Sequence, residues 1–450
     1  MFDHTASKML ACSLAVVIVL LLQMACIAES KSSNSAVSIY SRNPYYFQDS
    51  KGKPMILIGD YTWGTFSDVD FDYTRMFDSL KKRGLNVARI WLWWGCEEIT
   101  SDPIPARHFE PFLREGPGTA NDGRPKYNLD KFNPAFFSRL DAMCASAQKR
   151  GITLQLIMMD AWMIKHDYLW KLHAFNRNNN VNGVDGDPRQ TSEGTDGQQG
   201  FCSMGNPKAL NYQKAYIRRV VEIINKYSNI YYEIANENYY NEEWELALCI
   251  FIKETESKMP KQHMAIRLDF PSHSYVVQSW DPGTVHRGIM EKRGLKVPLI
   301  FDTDWTINDN DDEVRKSAWT AIASGGHFNY MDDSMEFRTK PVPDKRAVLH
   351  KQIDHLAKFV RDIKPWDMKP DDSMVRSGSA YVLAGNRIVF AYLPSGGKAE
   401  IDLSNASGKI SAKWFDPRTG NFIPRIEITG KGITLFTAPD GNDWALLIKH

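Results

Sequence analysis

Residues 230–238 read Ile-Tyr-Tyr-Glu-Ile-Ala-Asn-Glu-Asn, an apolar run that ends in three polar side chains. It is the fourth of eight short apolar runs between residues 39 and 366, and segments with helical spacing fill most of the gaps. Strand–helix alternation predicts parallel strands, and eight repeats favour an α/β fold with a closed (β/α)8 TIM barrel over residues 39–366. The predicted strands are Met55–Ile58, Val87–Trp94, Thr153–Met159, Ile230–Ala235, Met264–Leu268, Tyr275–Gln278, Leu299–Thr303 and Phe328–Met331.

The last part of the chain has a different pattern. From Met374 onward, strand-like runs with a two-residue period alternate with turn signals rich in glycine and asparagine. Closely spaced short strands of this kind are typical of a β-sandwich, so we predict a small all-β sandwich over residues 374–450. The length of 450 residues accommodates one barrel and one module of this size.

Residues 1–28 are predicted to be a signal peptide. The stretch from Met9 to Ala28 is almost wholly apolar and gives way to a polar run at residues 29–35. Cleavage after Ala28 would export the protein to the periplasm or the cell exterior. Two alternatives are open. A lipidated Cys26 would make the protein a lipoprotein, and an uncleaved segment of about 20 residues would anchor it in a membrane.

Composition limits the classes of partner. Lysine plus arginine (55) nearly balance aspartate plus glutamate (54), which argues against a nucleic-acid or polyanion partner. The sequence contains no G-x-G-x-x-G after a strand, no P-loop, no H-E-x-x-H and no C-x-x-C, so we expect no cofactor and no metal ion. We expect a monomer. Cys96 and Cys202 fall in predicted loops and could form a disulfide in an oxidising compartment.

Carboxyl groups stand at the ends of two predicted strands. Glu237 ends the fourth strand, and residues at the carboxyl ends of barrel strands face the active-site mouth. A carboxyl group there is suited to proton transfer, and the adjacent Asn236 amide can hydrogen-bond a sugar hydroxyl. In the seventh strand, Asp302 and Asp304 lie two residues apart and therefore share one face. Arg89 in the second strand would favour the ionised form of such a carboxylate.

The sequence resembles the clan of retaining glycoside hydrolases with (β/α)8 barrels, including cellulase-like bacterial members. In that clan Asn-Glu ends strand four and the glutamate is the acid/base, which implies that role for Glu237. Also similar are Gly59–Trp63 after strand one and the arginine within Asn86–Trp91. The tail around Trp414–Gly420 resembles the small sandwich called collagen-binding in bacterial members. The resemblance covers nearly all of the chain after residue 28. It implies a glycosidase that cleaves O-glycosidic bonds in a plant or microbial polysaccharide or oligosaccharide.

The sequence departs from the clan at strand seven. The clan's nucleophile is normally a glutamate that ends this strand, whereas residues 298–305 read Pro-Leu-Ile-Phe-Asp-Thr-Asp-Trp. We expect Asp302 to be the nucleophile of a retaining double displacement, with Asp304 as the second candidate. The shorter side chain leaves an inverting reaction open, and Glu233 could instead form a structural ion pair with Arg89. The missing glutamate also leaves open a non-catalytic glycan-binding protein on a barrel scaffold.

Further substrate contacts are predicted near the ends of the strands. Tryptophan rings there could stack on sugar rings, and polar side chains could bind hydroxyl groups. Besides Arg89 and Asn236, the predicted substrate-binding residues are Asp60, Trp63, Asp160, Trp162, Trp280, Trp305 and His327. The insertion at residues 165–205 follows the third strand and is rich in Asn, Gly, Asp and Gln. We predict that it is a structureless substrate-binding loop.

Overall fold

The computed structural model describes residues 36–62, 64–92, 108–190, 198–238, 241–266, 281–303, 310–331, 336–339, 346–406, 408–424, 426–428 and 432–450. These residues belong to two compact units. Unit 1 contains the described residues within 1–38, 92–142 and 156–269, and unit 2 contains those within 39–91, 143–155 and 270–450. The predicted boundary between residues 366 and 374 lies within unit 2.

The strands are numbered in chain order. They are β1 (Ser38–Ile39), β2 (Phe47–Gln48), β3 (Pro54–Met55), β4 (Ile58–Tyr61), β5 (Val87–Trp91), β6 (Phe112–Thr119), β7 (Pro125–Phe132), β8 (Thr153–Asp160), β9 (Ile230–Asn236), β10 (Ala265–Ile266), β11 (Ile300–Thr303), β12 (His327–Met331), β13 (Lys369–Pro370), β14 (Val375–Gly378), β15 (Tyr381–Ala384), β16 (Ile388–Leu393), β17 (Lys398–Asp402), β18 (Ile410–Phe415), β19 (Ile426–Ile428), β20 (Ile433–Thr437) and β21 (Trp444–Lys449).

The helices follow the same convention. They are α1 (Gly64–Ser67), α2 (Tyr73–Arg83), α3 (Pro134–Arg150), α4 (Ala161–Ile164), α5 (Asp167–Trp170), α6 (Pro207–Ile224), α7 (Glu242–Glu256), α8 (Pro282–Lys292), α9 (Asp311–Ala323) and α10 (Ala347–Ile363). Short 3₁₀ turns occur at Arg293–Leu295, Pro365–Asp367 and Asp372–Met374. Within the described ranges, the helices are too short or too polar to cross a membrane.

A parallel sheet with intervening helices confirms the predicted (β/α)8 class. Its described strands are hydrogen-bonded in the order β10-β9-β8-β5-β4-β12-β11. Seven of the eight predicted strands have a counterpart in this sheet, and the remaining one, Tyr275–Gln278, lies outside the described residues. Strands such as β5, β8 and β9 are buried along their whole length, because helices cover a parallel sheet on its outer face.

The first barrel strand begins three residues later than predicted. Pro54 and Met55 pair instead with Phe47 and Gln48 in a short antiparallel sheet. The Asn86 side chain lies beside the point where the chain passes from the short sheet into strand β4. Its amide nitrogen donates to the carbonyl of Ile56 (2.8 Å), and its oxygen accepts from the amide of Ile58 (3.0 Å). Asp60 therefore lies within strand β4 and not in the loop after it.

The insertion after the third barrel strand is ordered over its described parts, 165–190 and 198–205, contrary to the prediction of a structureless loop. It packs on an antiparallel hairpin, β6–β7, that the sequence did not predict. The Tyr127 amide donates to the carbonyl of Asn179 (2.8 Å). The buried side-chain amide of Asn180 donates to the carbonyl groups of Ala174 and Val184 and accepts from the backbone amide of Val184. This side chain thus makes the hydrogen bonds that backbone groups would make in a helix or a sheet. Farther along, Cys202 carries a buried free thiol.

The C-terminal part is the predicted β-sandwich. One sheet has the order β13-β15-β16-β21-β18-β19 and the other has the order β14-β17-β20. Alternate side chains of both sheets, including Val389, Ala391, Ile401 and Phe436, form one buried core.

The sandwich is joined to helices α9 and α10 within unit 2. Phe390 and Tyr392 point away from the sandwich core, and their rings contact Phe359 at 5.0 Å and Trp319 at 5.9 Å between centroids. Beside them, the buried Arg315 guanidinium binds both carboxylate oxygens of Asp443, at 2.7 and 3.1 Å. The Tyr392 hydroxyl donates to the same carboxylate (3.0 Å).

Removing this carboxylate should weaken the fold. The Asp443→Ala variant is expected to lose about 3 kcal/mol of unfolding free energy in urea titration, because it leaves a buried guanidinium without its main counter-charge. Asp402, which pairs with the exposed Arg376, provides the control. Asp402→Ala should have a much smaller effect, because water screens that pair. Equal losses in the two variants would contradict a special role for the buried pair.

Candidate active site

In unit 2, the carboxylate of Asp302 is held by polar side chains from two other barrel strands. The Tyr61 hydroxyl from β4 donates a short hydrogen bond to its Oδ1 atom. The Arg89 guanidinium from β5 lies 3.7 Å from the same oxygen, and both charged groups are at least 96% buried. A phenol donor and a buried cation both favour the ionised carboxylate. The side chain of Asp302 can therefore act as a fixed negative charge or as a nucleophile.

Strand register explains why these residues meet. Asp302 is aligned with Asn329 on β12, Asn329 with Gly59 on β4, and Gly59 with Val87 on β5, so these positions share one face of the sheet. Tyr61 lies two residues after Gly59 and Arg89 two residues after Val87, so both side chains lie on the same face of the sheet as Asp302. Gly59 permits the close approach, because a Cβ atom there would lie 2.1 Å from the Val87 carbonyl oxygen.

Asn329 is a candidate site residue that sequence reasoning missed. It is 1% exposed, and neither polar atom of its side chain has a hydrogen-bond partner in the described part of the chain. Buried amides are normally paired, and this one is aligned with Asp302. The available signal was a single polar residue inside the apolar run Phe328–Met331.

A second polar group lies in unit 1, at the ends of β8 and β9. It consists of Asp160, Lys165, Asn236 and Glu237. The Asn236 amide nitrogen donates to Asp160 Oδ1 at 3.0 Å. The Lys165 ammonium forms a short ion pair with Glu237, and these two side chains are 21% and 16% exposed. Glu237 therefore carries the more accessible carboxyl group of this cluster, as a proton donor to a ligand requires.

The backbone at Glu237 is strained. Its φ angle of +52° lies in the left-handed region, which is uncommon for residues other than glycine, asparagine and aspartate. Strain of this kind clusters at functional sites and persists only where surrounding contacts fix the chain. The strand thus ends at Asn236 with a sharp change of direction that sets the position of the next side chain.

Asp160 has an unusual electrostatic environment. It is 4% exposed, and its burial raises the pKa of its carboxyl group to about 7, opposed by the Asn236 hydrogen bond and reinforced by the charge of Glu237. It also accepts from the Trp162 amide and so caps helix α4. The Trp162 ring contacts the His166 ring edge-on at 4.6 Å. Glu233 is fully buried on β9.

Asp60 corrects a prediction, because the structure does not make it a substrate contact. Its side chain points to the helix-facing side of the sheet, since it alternates with Gly59 and Tyr61. There it forms a short ion pair with Arg83 of α2, which also binds Asp354 of α10 at 2.8 Å. The carboxylate is therefore part of a structural ion-pair network between strand and helices.

His327 likewise has a structural role in place of the predicted ligand contact. It is the first residue of β12, so it lies at the amino end of the strand, away from the mouth. Its Nδ1 atom accepts from the Leu57 amide (2.9 Å), and its Nε2 atom lies 3.0 Å from the Tyr45 carbonyl oxygen. Burial lowers the pKa of His327 to about 3, so the ring is neutral. The other predicted site residues Trp63, Trp280, Asp304 and Trp305 lie outside the described residues.

Solved structures place the fold in a defined class. A protein described as a glycoside hydrolase superposes with a TM-score of 0.63 at 16% identity, covering 93% of this chain and 97% of that chain. A glycoside hydrolase family 5 protein from Bacteroides vulgatus gives a TM-score of 0.62 at 16% identity, with coverage of 92% and 94%. The chain therefore shares its fold with these glycoside hydrolases over more than nine-tenths of its length.

Sequence comparisons give more particular similarities. Residues 41–183 match the family described as "Apiosidase-like, catalytic domain", and residues 370–449 match "Putative collagen-binding domain of a collagenase". A probable mannan endo-1,4-beta-mannosidase F from Aspergillus oryzae is 24% identical over 266 residues, which are 55% of this chain. The chain spans about half, 49%, of the length of that relative.

Proposed function

We propose that this protein is a glycoside hydrolase that cleaves O-glycosidic bonds in a plant or microbial polysaccharide or oligosaccharide. The observation that carries the proposal is the Asn236–Glu237 pair at the end of the buried strand β9, which combines a strained backbone with an accessible carboxyl group. The fold, shared with glycoside hydrolases over nine-tenths of the chain, supports the same conclusion. The proposed domain boundaries are 39–366 for the barrel and 374–450 for the sandwich.

The proposed reaction is a retaining double displacement with two carboxyl groups in different roles. Glu237 donates its proton to the glycosidic oxygen as Asp302 attacks the anomeric carbon, so that the alcohol leaves and a glycosyl ester forms. Glu237, now ionised, then takes a proton from water, and the attack of that water releases the sugar and restores Asp302. This reaction balances without any cofactor.

The neighbouring residues fit these roles. Arg89 and the Tyr61 hydroxyl keep Asp302 charged and oriented, as a nucleophile requires. We propose that Asn236 binds a sugar hydroxyl, and that Trp162, with Trp63, Trp280 and Trp305, contributes rings that stack on sugar. Asp304 is the second candidate for the nucleophile.

A reducing-end assay over polysaccharides and aryl glycosides tests the proposal. Hydrolysis should release new reducing ends from at least one class of glycan, and glycans of that class should raise the melting temperature of the protein. Binding of oligosaccharides without release of reducing ends would instead identify a non-catalytic glycan-binding protein.

We also propose that the protein is exported, acts as a monomer and begins near Glu29 after removal of residues 1–28. The supporting observation is the apolar segment Met9–Ala28 followed by a polar run. Intact-mass measurement on protein from the native host should give the mass of the chain without residues 1–28. A mass that includes these residues would contradict cleavage and favour a membrane anchor. A diacylglycerol addition on Cys26 would identify a lipoprotein.

A further inference from the structure

Asp160, Asn236, Glu237 and Lys165 form a closed circuit of contacts in unit 1. The Asp160 carboxylate accepts from the Asn236 side chain at 3.0 Å and caps α4 through the Trp162 amide at 3.2 Å. Lys165 directly follows α4, and its ammonium pairs with Glu237, the residue after Asn236. Two adjacent residues at the end of β9 are thus held by the two ends of one short helix.

This circuit explains how the strained backbone at Glu237 is maintained. A φ angle of +52° for a glutamate persists only if surrounding contacts specify it. Asp160 lies at the centre of those contacts, because it binds both the Asn236 side chain of β9 and the start of α4. Loss of its acceptor oxygen would release both attachments together.

The second oxygen of Asp160 has a different property. Oδ2 is buried and has no hydrogen-bond partner among the described residues, while the Asn236 side chain and the backbone N–H groups of Trp162 and Met163 favour the charged form of the carboxyl group. Glu237 and its ion-pair partner Lys165 are the charged neighbours in this cluster. Burial, together with the charges of Glu245 of α7 and of Asp160, raises the pKa of the Cys202 thiol, which is therefore uncharged. Burial raises the pKa of Asp160 to about 7, and the charge of Glu237 adds to the effect.

We infer that Asp160 is a positioning residue that fixes Asn236 and Glu237. This inference rests on the proposed function, in which Glu237 is the proton donor. Without the acceptor oxygen of Asp160, Asn236 and the start of α4 lose a shared attachment, and the carboxyl group of Glu237 loses the geometry that proton transfer requires.

The Asp160→Asn variant separates charge from geometry. Its amide oxygen can accept the same two hydrogen bonds, but the side chain cannot titrate. We expect kcat/KM of Asp160→Asn to stay within about 10-fold of the wild type, because the acceptor geometry is kept. Asp160→Leu, which removes the acceptor, should lower kcat/KM by about 100-fold.

The control is Asp141→Asn, which changes an exposed carboxylate of unit 1 that binds Lys226 and Tyr227. Its kcat/KM should match that of the wild type. Equal losses of kcat/KM in Asp160→Asn and Asp160→Leu, or no loss in Asp160→Leu, would overturn the inference.

A second measurement needs no substrate. Because the folded-state pKa of Asp160 is raised above its unfolded value, this residue favours folding fully below about pH 4, and that contribution is lost as pH rises to about 7. The melting temperature of the wild type should therefore fall relative to that of Asp160→Asn between pH 4 and 7. Parallel curves would overturn the protonation of Asp160. A clear divergence without hydrolysis of any glycan would refute the proposed function while leaving this protonation supported.

Discussion

Glu237→Gln is expected to lower kcat on a natural glycan by about 10² to 10⁴-fold. The amide keeps the shape of the side chain but has no proton to donate to the glycosidic oxygen. Aryl glycosides with activated leaving groups depart without protonation, so their first step should be affected far less. The ratio of the two losses, measured by steady-state kinetics on both substrates, is the diagnostic quantity.

The matched control is Glu222→Gln, which changes an exposed glutamate of α6 that pairs with Arg219 in the same unit. Its kinetics should be those of the wild type on both substrates. An unchanged rate of Glu237→Gln on the natural glycan would remove Glu237 from the mechanism. Equal losses on both substrates would assign Glu237 a role other than proton donation.

Asp302→Ala should abolish turnover, with a loss above about 10⁴-fold, because a double displacement cannot begin without its nucleophile. Azide should restore activity on an aryl glycoside by entering the space of the missing carboxylate. The product should then be a glycosyl azide of inverted configuration, identified by NMR. Asp304→Ala should raise KM or lower the rate without rescue, because it removes no nucleophile.

Other outcomes would reassign the roles. Azide rescue at Asp304 and not at Asp302 would make Asp304 the nucleophile. Rescue at neither, together with an inverted product from the wild type, would mean that water attacks directly. Asp60→Ala is the control, since its carboxylate belongs to the same sheet but binds Arg83. It should lose stability and show no rescue.

The sequence was sufficient for the fold class because the apolar runs coincide with fully buried parallel strands. Val87–Trp91 and Ile230–Asn236 lie within or next to their predicted ranges. The hairpin β6–β7 was missed for a physical reason. Its first strand, Phe112–Thr119, contains charged residues, glycines and a proline, which favour a loop. A buried cluster in which Glu110 binds Arg114 and Tyr127 holds it in place, and the contact with Tyr127, 17 residues away, has no local signal.

The candidate site was predictable where a side chain follows from its position in a strand. Glu237 and Asn236 were located because an apolar run stops there. Asp60 was misassigned because the start of strand β4 was placed three residues early. A shift by an odd number of residues along a strand moves a side chain to the opposite face. The partner that reveals its role, Arg83, is 23 positions away on a helix surface, where nothing in the sequence marks it as buried.

Strand β21 is the last strand of the sequence, yet it lies in the interior of its sheet, between β16 and β18. During synthesis, the two halves of that sheet have no common neighbour until residues 444–449 leave the ribosome. Until then β16 and β18 each have an unpaired edge on the side that β21 will occupy. Arg315 also lacks its ion-pair partner Asp443, which immediately precedes β21. Ribosome-bound chains that end before residue 443 should therefore depend on chaperones that shield open strand edges.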